Sequence, residues 1–427
     1  MGITFNILSI FPEIVECFVN YSLLKRAKEK NLVSFNFLNI RDFCKDKHKQ
    51  VDDVPYGGGS GMILKPEPVI NALSSLTDEK KGKVILLSAK GIKFNQELAN
   101  KLKDEKYLTI ICPRYEGIDE RVKNWVDYEI SIGDYVIMGG EVGACVLIEA
   151  ISRLIPGVVG KEESIKYESF QDIFLEYPQY TRPFDFNGLK VPEILLSGHH
   201  RNIEKWRKDK SIEITVKNRL DLIIERKRIL DRSEIEKIKE LILKDYEIYV
   251  ALLHYPVLNK KGEIVSTAIT HMDIHDIARV CRTYGIKKYY IVTPDSEQIN
   301  YALRVIRHWT EGYGKEFNPS RKEALKVIDV KKYFEEAIND VKSLTKRNLK
   351  LVGTSAKIYK KTITFSQLKE IGKNNALLLV FGTGWGLSNE IKDKMDYMLE
   401  PIYGLTDFNH LSVRSAVSII IDRILGF

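Results

Sequence analysis

Apolar residues gather in short runs that end in glycine- or proline-containing loops. VILLSAKG (84–91), YLTIICPRYEG (107–117) and YVIMGGE (135–141) lie in the first half, and YYIVTP (289–294), LVGTSAK (351–357) and LLLVFGTGWG (377–386) in the second. Continuous apolar runs of this length, bounded by turn residues, predict buried parallel strands feeding polar loops. YVALLHYPVL (249–258) opens the second series. Between the runs the spacing becomes helical. QELANKL (96–102) and VGACVLIEAISRL (142–154) predict helices, as does VRSAVSIIIDRIL (413–425), where Val413, Ala416, Val417, Ile420, Ile421 and Ile424 share one stripe. Strands alternating with helices predict an α/β fold with ligands at the strand ends.

The pattern breaks between the two series. Gly160–Tyr180 is charged and aperiodic, which predicts a flexible linker or lid. Residues 192–245 predict helices. They include the basic segment HHRNIEKWRKDK (199–210) and a charged run (225–246) carrying Ile229, Leu230, Ile235, Ile238, Leu241 and Ile242 at mainly helical spacing, expected to form a surface helical hairpin. The two halves repeat a plan without sharing sequence: strands, a glycine-rich strand-end loop (Gly139–Gly140; Gly382–Gly386), then a helix of small and apolar residues.

A length of 427 residues allows two or three domains of roughly 150 residues. The net charge of +8 fits a nucleic-acid partner and equally a solvated basic surface. Cys17, Cys44, Cys112, Cys145 and Cys281 form no CxxC pair and no zinc-ligand spacing, which argues for reduced thiols in a cytoplasm. No apolar run is long enough to span a bilayer, and MGITFNILSIFPEIVE lacks the basic and small-residue regions of a signal peptide. The expectation is a cytoplasmic protein with no membrane contact.

Three loops of the first half carry candidate chemistry. The glycines of VDDVPYGGGSGM (51–62) let the backbone approach a ligand or another chain, although a mobile surface loop would look the same. The loop lacks the Lys-Ser/Thr ending of a phosphate-binding P-loop. In ICPRYEGIDERV (111–122), Arg114, Glu116, Asp119, Glu120 and Arg121 crowd both signs of charge onto one turn; a salt-bridged helix start is the plainer reading. ISIGDYVIMGGE (130–141) has glycines on both sides of Tyr135, and such a loop can wrap an adenine through backbone hydrogen bonds while apolar side chains flank the ring.

In chain order, FPE (11–13), SLLKRA (22–27), NIRDF (39–43), DKH (46–48), VDDVPYGGGSGM, RYEGIDERV (114–122), SIGDYV (131–136), GGE (139–141), SRLIPGVVG (152–160), YTRP (180–183) and LLSGHH (195–200) resemble the bacterial tRNA (guanine-N1)-methyltransferases of the SPOUT class, up to about residue 243. The resemblance implies a trefoil-knotted α/β domain and a homodimer with active sites at the subunit interface. It implies S-adenosylmethionine in the knot, and tRNA methylated at the guanosine 3′ of the anticodon. It assigns the donor site to Leu87, Ser88, Pro113, Glu116, Ile132, Gly133, Asp134, Tyr135, Val136, Ile137, Gly139 and Gly140. Guanine N1 is not nucleophilic until its proton leaves, and charge then develops on O6. Arg153 is implied as the O6 partner from the other side of the interface. Glu168 in YESF (167–170) takes the place of the family's Asp base, with Glu176 the next candidate. Pro113 stands where the family usually has Gly and cannot donate a backbone hydrogen bond. A Mg²⁺ requirement is implied as well; no stretch has dedicated metal spacing, so an ion would rest on one or two carboxylates and waters, and no residue is assigned to it.

THMDIHDIARVCRTYGIKKYYIVTP (270–294) predicts a helix capped by Asp273, buried through Ile274, Ile277, Ala278 and Cys281 and ended by Gly285, with Asp276 and Arg279 at polar positions. Followed by TSA (354–356), GTGWGL (382–387) and PIYGLTDFNHLSVRSAVSI (401–419), it resembles SPOUT-class RNA methyltransferases again, nearest the ribose 2′-O branch. This second resemblance implies another S-adenosylmethionine site at Thr354, Gly382, Thr383, Gly384, Ile402, Leu411 and Val413, and a catalytic Arg279. Asp273 stands where that branch usually has Asn, and His410–Arg414 replaces its Ser-Leu-Asn-Val-Ser. A knotted dimerisation or tRNA-docking module is the other reading. Lys205–Lys210 and Arg226–Arg228 are candidates for tRNA phosphates, and Arg201 and Trp206 for base stacking, against a solvated face and a core Trp. The expected organisation is two knotted SPOUT domains in tandem: a donor-binding domain (1–160), a lid (161–180), a helical tRNA-binding subdomain and linker (181–245), and a second knotted domain (246–427).

Overall fold

The computed structural model describes residues 2–160, 168–406 and 408–426; residues 161–167, the first part of the expected lid and including Tyr167 of YESF, lie outside the described residues. The chain forms two compact units, one ending at Glu176 and the other beginning at Tyr177.

The first unit is built on strands β1 (Ile3–Ser9), β2 (Val33–Asn39), β5 (Lys83–Lys93), β6 (Tyr107–Ile111) and β7 (Tyr128–Ser131), with a two-stranded clip of β3 (Asp52–Asp53) and β4 (Ile63–Leu64) beside them. The five strands pair in parallel in the order β2-β1-β6-β5-β7. Alternation along each strand feeds two cores. Phe5, Ile7, Ile85, Leu87 and Ile110 pack on one face with the helix Gly140–Ser152, while Leu8, Leu86 and Ile111 pack on the other with the helix Pro66–Ser74. The expected helix at 96–102 is present as Gln96–Leu102, capped by the Asn95 side chain.

YVIMGGE is not a strand. The chain leaves the sheet at Ser131 and turns at Gly133 (φ 151°), so Val136 and Met138 are each 90% exposed. The apolar run after the Gly133 turn joins no strand, bridging Arg114 only at Gly139, and its side chains border a cavity instead.

The second unit opens with the hairpin β8 (Asp185–Phe186) and β9 (Leu189–Lys190) and the helices His200–Asn218, Leu220–Arg226 and Arg232–Asp245. The charged run is one helix after a short turn, not a hairpin: Asp231 and Glu234 form a reciprocal capping box, Ile238 and Ile242 are buried, and the helix packs on His200–Asn218, while Ile229 stays exposed in the turn.

Next come β10 (Glu247–Leu253), the hairpin β11 (Val257–Leu258) and β12 (Ile264–Val265), then β13 (Tyr289–Val292), β14 (Ile328–Lys331), β15 (Asn348–Gly353), β16 (Thr362–Ile363), β17 (Asn375–Gly382) and β18 (Tyr397–Leu399). Seven of these strands form a parallel sheet in the order β14-β13-β10-β17-β15-β18-β16. Helix Val413–Leu425 has the expected bounds. In the helix His271–Thr283, Ile274, Ile277, Ala278 and Cys281 are buried as expected and Gly285 follows the helix at φ 71°, but the cap is Thr270; Asp273 is the third residue of the helix and closes the capping box.

Candidate active site

The first site lies at the carboxyl ends of three adjacent strands, where backbone groups leave the sheet and ligands can reach them. The β5–β7 register shifts between Leu87 and Ile92, which frees Ser88 from the ladder. Loops after β6 (Pro113–Ile118) and β7 (Ile132–Gly139) converge beside it around a cavity of about 270 Å³. Leu87, Ser88, Pro113, Glu116, Ile132, Gly133, Tyr135, Val136, Ile137, Gly139 and Gly140 all line it. Asp134 does not; its side chain is 90% exposed and pairs with Lys93 at 3.3 Å.

Steric fit explains the glycines. A Cβ on Gly139 would lie 2.4 Å from Arg114 Nε and 2.5 Å from Glu141 Oε2; one on Gly140 would lie 2.7 Å from Cys112 Cα. Without them, Gly140 N–H donates to the Pro113 carbonyl at 2.8 Å, so Pro113 serves the site as an acceptor. This docking buries Glu141, which accepts from Ser9 Oγ at 2.5 Å and from Arg114 Nε at 3.0 Å. A buried carboxylate needs such partners. The three residues tie the end of β1, the 112–116 loop and the helix start together. Glu141 had no assigned role in the sequence; its one signal was a carboxylate opening an otherwise apolar helix. The glycine-rich loop joins the same wall: Glu116 N–H donates to the Met62 carbonyl at 3.0 Å, and a Cβ on Gly61 would lie 2.4 Å from Glu116 Cγ. Glu129, another lining residue, pairs with Lys123 at 3.0 Å and leaves its buried Oε1 without a hydrogen-bond partner.

Arg153 caps the carboxyl end of the helix Gly140–Ser152, and its Nη2 donates to Glu168 Oε1 at 2.6 Å. The two residues implied as catalytic are therefore one ion pair. Among the described residues, Glu168 Oε2 is buried without a hydrogen-bond partner. The backbone N–H of Glu176 donates to Ser169 Oγ at 2.9 Å, closing the segment after Glu168.

In the second unit, Gly382 ends β17 and Thr354 follows β15, the adjacent strand; Thr354 N–H and Oγ1 both donate to the Val380 carbonyl, at 3.1 and 3.0 Å. Thr383 donates to the Leu253 carbonyl and shares a short hydrogen bond with Thr267, whose Oγ1 lies 3.1 Å from His254 Nδ1. His254 is fully buried, which pulls its pKa down to about 4. Neither His254 nor Thr267 carried a signal in the sequence. Gly384 (φ 59°) sits against the Leu258 carbonyl. Ile402 follows β18, beside β15. Leu411 is exposed and Val413 opens the final helix; Asn409 Nδ2 donates to the Ala356 carbonyl at 2.9 Å, joining that segment to the one after β15. Arg279 lies instead in an open groove with Tyr284, Ser418, Asp422 and Arg423, and among the described residues no hydrogen bond or cavity joins it to the glycine-rich loop. The two unusual residues of this half face each other: Arg414 Nη1 donates to Asp276 at 3.0 Å, and its Nε lies 3.7 Å from Asp273.

Residues 3–225 match the family model described as tRNA (Guanine-1)-methyltransferase TrmD. The chain is 41% identical over 425 residues, 99% of each chain, to a tRNA (guanine-N(1)-)-methyltransferase of Oleidesulfovibrio alaskensis. The chain belongs to the tRNA (guanine-1)-methyltransferase family. A Nitratidesulfovibrio vulgaris relative of the same description is 41% identical over 99% of each chain. One from Clostridium beijerinckii is 52% identical over 97% of its own length but only 55% of this chain. Residues 247–426 match a second family, described as SAM-dependent RNA methyltransferase.

The basic segment of this methyltransferase is only partly free. Lys208 pairs with Glu234 at 2.6 Å and Lys210 with Glu213 at 2.7 Å; Arg207 lies over the Tyr177 ring, and Trp206 faces Tyr180 with 6.4 Å between ring centres. No three His, Cys, Asp or Glu side chains converge as a metal cage among the described residues, and no helix there is long and apolar enough to cross a membrane.

Proposed function

We propose that the first unit transfers a methyl group from S-adenosylmethionine to guanine N1 of tRNA, at the nucleotide 3′ of the anticodon, in the cytoplasm. The observation that carries this reading is the convergence of the expected donor residues on one cavity, where Gly139 and Gly140 leave no room for a Cβ. The cavity fits the donor in kind: backbone edges and apolar Ile132, Val136 and Ile137 suit an adenine, and the partnerless Glu129 Oε1 suits a ribose hydroxyl or an amino group. When bound, S-adenosylmethionine supplies an electrophilic methyl group.

The chain's own residues do the rest. Glu168 takes the N1 proton on Oε2, the oxygen left without a partner, while Arg153 holds Oε1. Arg153 has five N–H donors, so the same guanidinium can also stabilise the charge that develops on O6. The described residues do not by themselves form a Mg²⁺ cage, and no step is routed through the ion. A second copy of the chain completes the site in this reading. Val142, Val146 and Glu149 lie exposed on one face of the helix that ends at Arg153, a surface suited to a partner. The all-parallel sheets are compatible with two knotted SPOUT domains in tandem, divided as 1–160, 161–180, 181–245 and 246–427.

Glu168→Ala is expected to abolish methyl transfer while calorimetry still detects donor binding. Near-normal turnover would place the base elsewhere, with Glu176 the next to test.

The second unit, in the same reading, holds another donor at the glycine-rich loop Gly382–Gly386 and methylates RNA, with ribose 2′-O the favoured acceptor. The place of Arg279 in a groove that does not include that loop favours a second reading, a tRNA-docking or dimerisation module. The number of donor molecules bound per chain separates them: two for an enzyme, one for a docking module.

A further inference from the structure

The glycine-rich loop of the second unit carries one large side chain, and it points away from the protein interior. Trp385 is 64% exposed. Its backbone is held firmly: Trp385 N–H donates to the Leu258 carbonyl at 2.9 Å, Leu258 N–H donates to the Gly386 carbonyl at 2.9 Å, and Leu387 pairs with Val257. The loop is thus a third edge on the β11–β12 hairpin. The hairpin's own tip is equally tied, because Asn259 Oδ1 accepts from the backbone N–H groups of Lys261 and Glu263 at 2.8 and 3.0 Å, and Asn259 Nδ2 occupies Glu263. Lys260 and Lys261 stand exposed on that tip with no ion pair among the described residues. Lys260 and Lys261 lie in the turn that follows the Trp385 contact at Leu258, two and three residues beyond it. Tyr255, at the other end of the hairpin, is also exposed.

We propose that Trp385, Lys260 and Lys261 form an RNA contact of the second unit, the indole stacking on an unpaired base and the two ammonium groups pairing with the flanking phosphates. A rigid aromatic platform beside unpaired cations is how proteins hold single-stranded nucleic acid, since every base offers a stacking face and every linkage a negative charge. A fixed backbone means that little order has to be imposed on the loop when the base arrives. The contact deepens the reading of the second unit as RNA-modifying and rests on it. It names the substrate as RNA with an accessible, unstacked base rather than a closed duplex.

The test uses the full-length chain and a twelve-residue oligoadenylate. Trp385→Phe removes one of the four tryptophans; the emission difference between wild type and this variant isolates Trp385. Oligoadenylate is expected to quench that difference signal saturably. Lys260→Ala/Lys261→Ala is expected to weaken the midpoint of the quench and to lower its salt slope by about 1.4, for two phosphate contacts on a single strand. Absence of Trp385-specific quenching at saturating RNA overturns the proposal, as does a midpoint indifferent to the loss of both lysines. Quenching by S-adenosylmethionine alone would assign the indole to the donor instead. A Trp385 signal that shifts with protein concentration, without RNA, would assign it to a second copy. Donor stoichiometry of the wild type is read separately: one donor per chain sinks the enzymatic reading of the unit, and the RNA contact then stands or falls on the quench alone.

Discussion

Gly139 leaves 2.4 Å between an imagined Cβ and Arg114 Nε, so even a methyl group must push apart the Arg114–Glu141 pair. Gly139→Ala is expected to weaken donor binding at least about tenfold, as measured by calorimetry, because displacing the pair opens a wall of the cavity and uncovers a buried charge. Gly160→Ala, with nothing within 4 Å, is the control expected to bind normally. His254 makes a second prediction at this scale. Its folded pKa of about 4 lies below the ordinary value of about 6.5, so between these limits the unfolded chain binds a proton that the folded chain does not. Stability contributed by the neutral ring is whole above pH 6.5 and is lost as pH falls toward 4, by up to about 3 kcal/mol. Denaturation at pH 7 and pH 5 should show the second unit weakening, and His254→Asn should reduce the difference, leaving the share of His275, whose pKa burial also lowers to about 4. Neither His254 nor the Glu141 that Gly139 packs against was legible in the sequence. Glu141 is one of 58 acidic residues, and its meaning comes from Ser9 and Arg114, far away along the chain.

Elements whose pattern is decided by one packed face were legible. The stripe of Val413–Leu425 and the helix Gln96–Leu102 follow from local spacing alone, because one apolar face meets the rest of the fold. The run YVIMGGE misleads for a physical reason: apolar residues that border a ligand cavity have the same local pattern as those in a buried strand, and only the glycine turn at Gly133 before it separates them. The helix Gly140–Ser152 shows the reverse case. Its inner face is filled by Ala144, Leu147, Ile148 and Ile151, yet Val142 and Val146 are 56% and 43% exposed. If a second copy covers that face, Val146→Glu should shift the chain toward monomer in sedimentation velocity at micromolar concentration and reduce methyl transfer in parallel. A monomeric wild type would remove the basis for this expectation.

At the scale of the whole chain, the repeated plan of strands, glycine-rich loop and apolar helix was visible in both halves, and each half builds a parallel sheet with its loops at the carboxyl edge. What the sequence could not convey is neighbourhood. The first site exists because β6, β5 and β7 lie side by side, although their sequence order is β5, β6, β7 and their loops are tens of residues apart. The two family matches, over residues 3–225 and 247–426, divide the chain where its patterns do. The most direct measurement is methyl transfer from labelled S-adenosylmethionine to a tRNA transcript with guanosine 3′ of the anticodon, followed by digestion and mass analysis of the nucleosides. The expected result is 1-methylguanosine from that position, lost when the guanosine is replaced by adenosine. A chain that binds the donor yet yields no 1-methylguanosine would contradict the central claim.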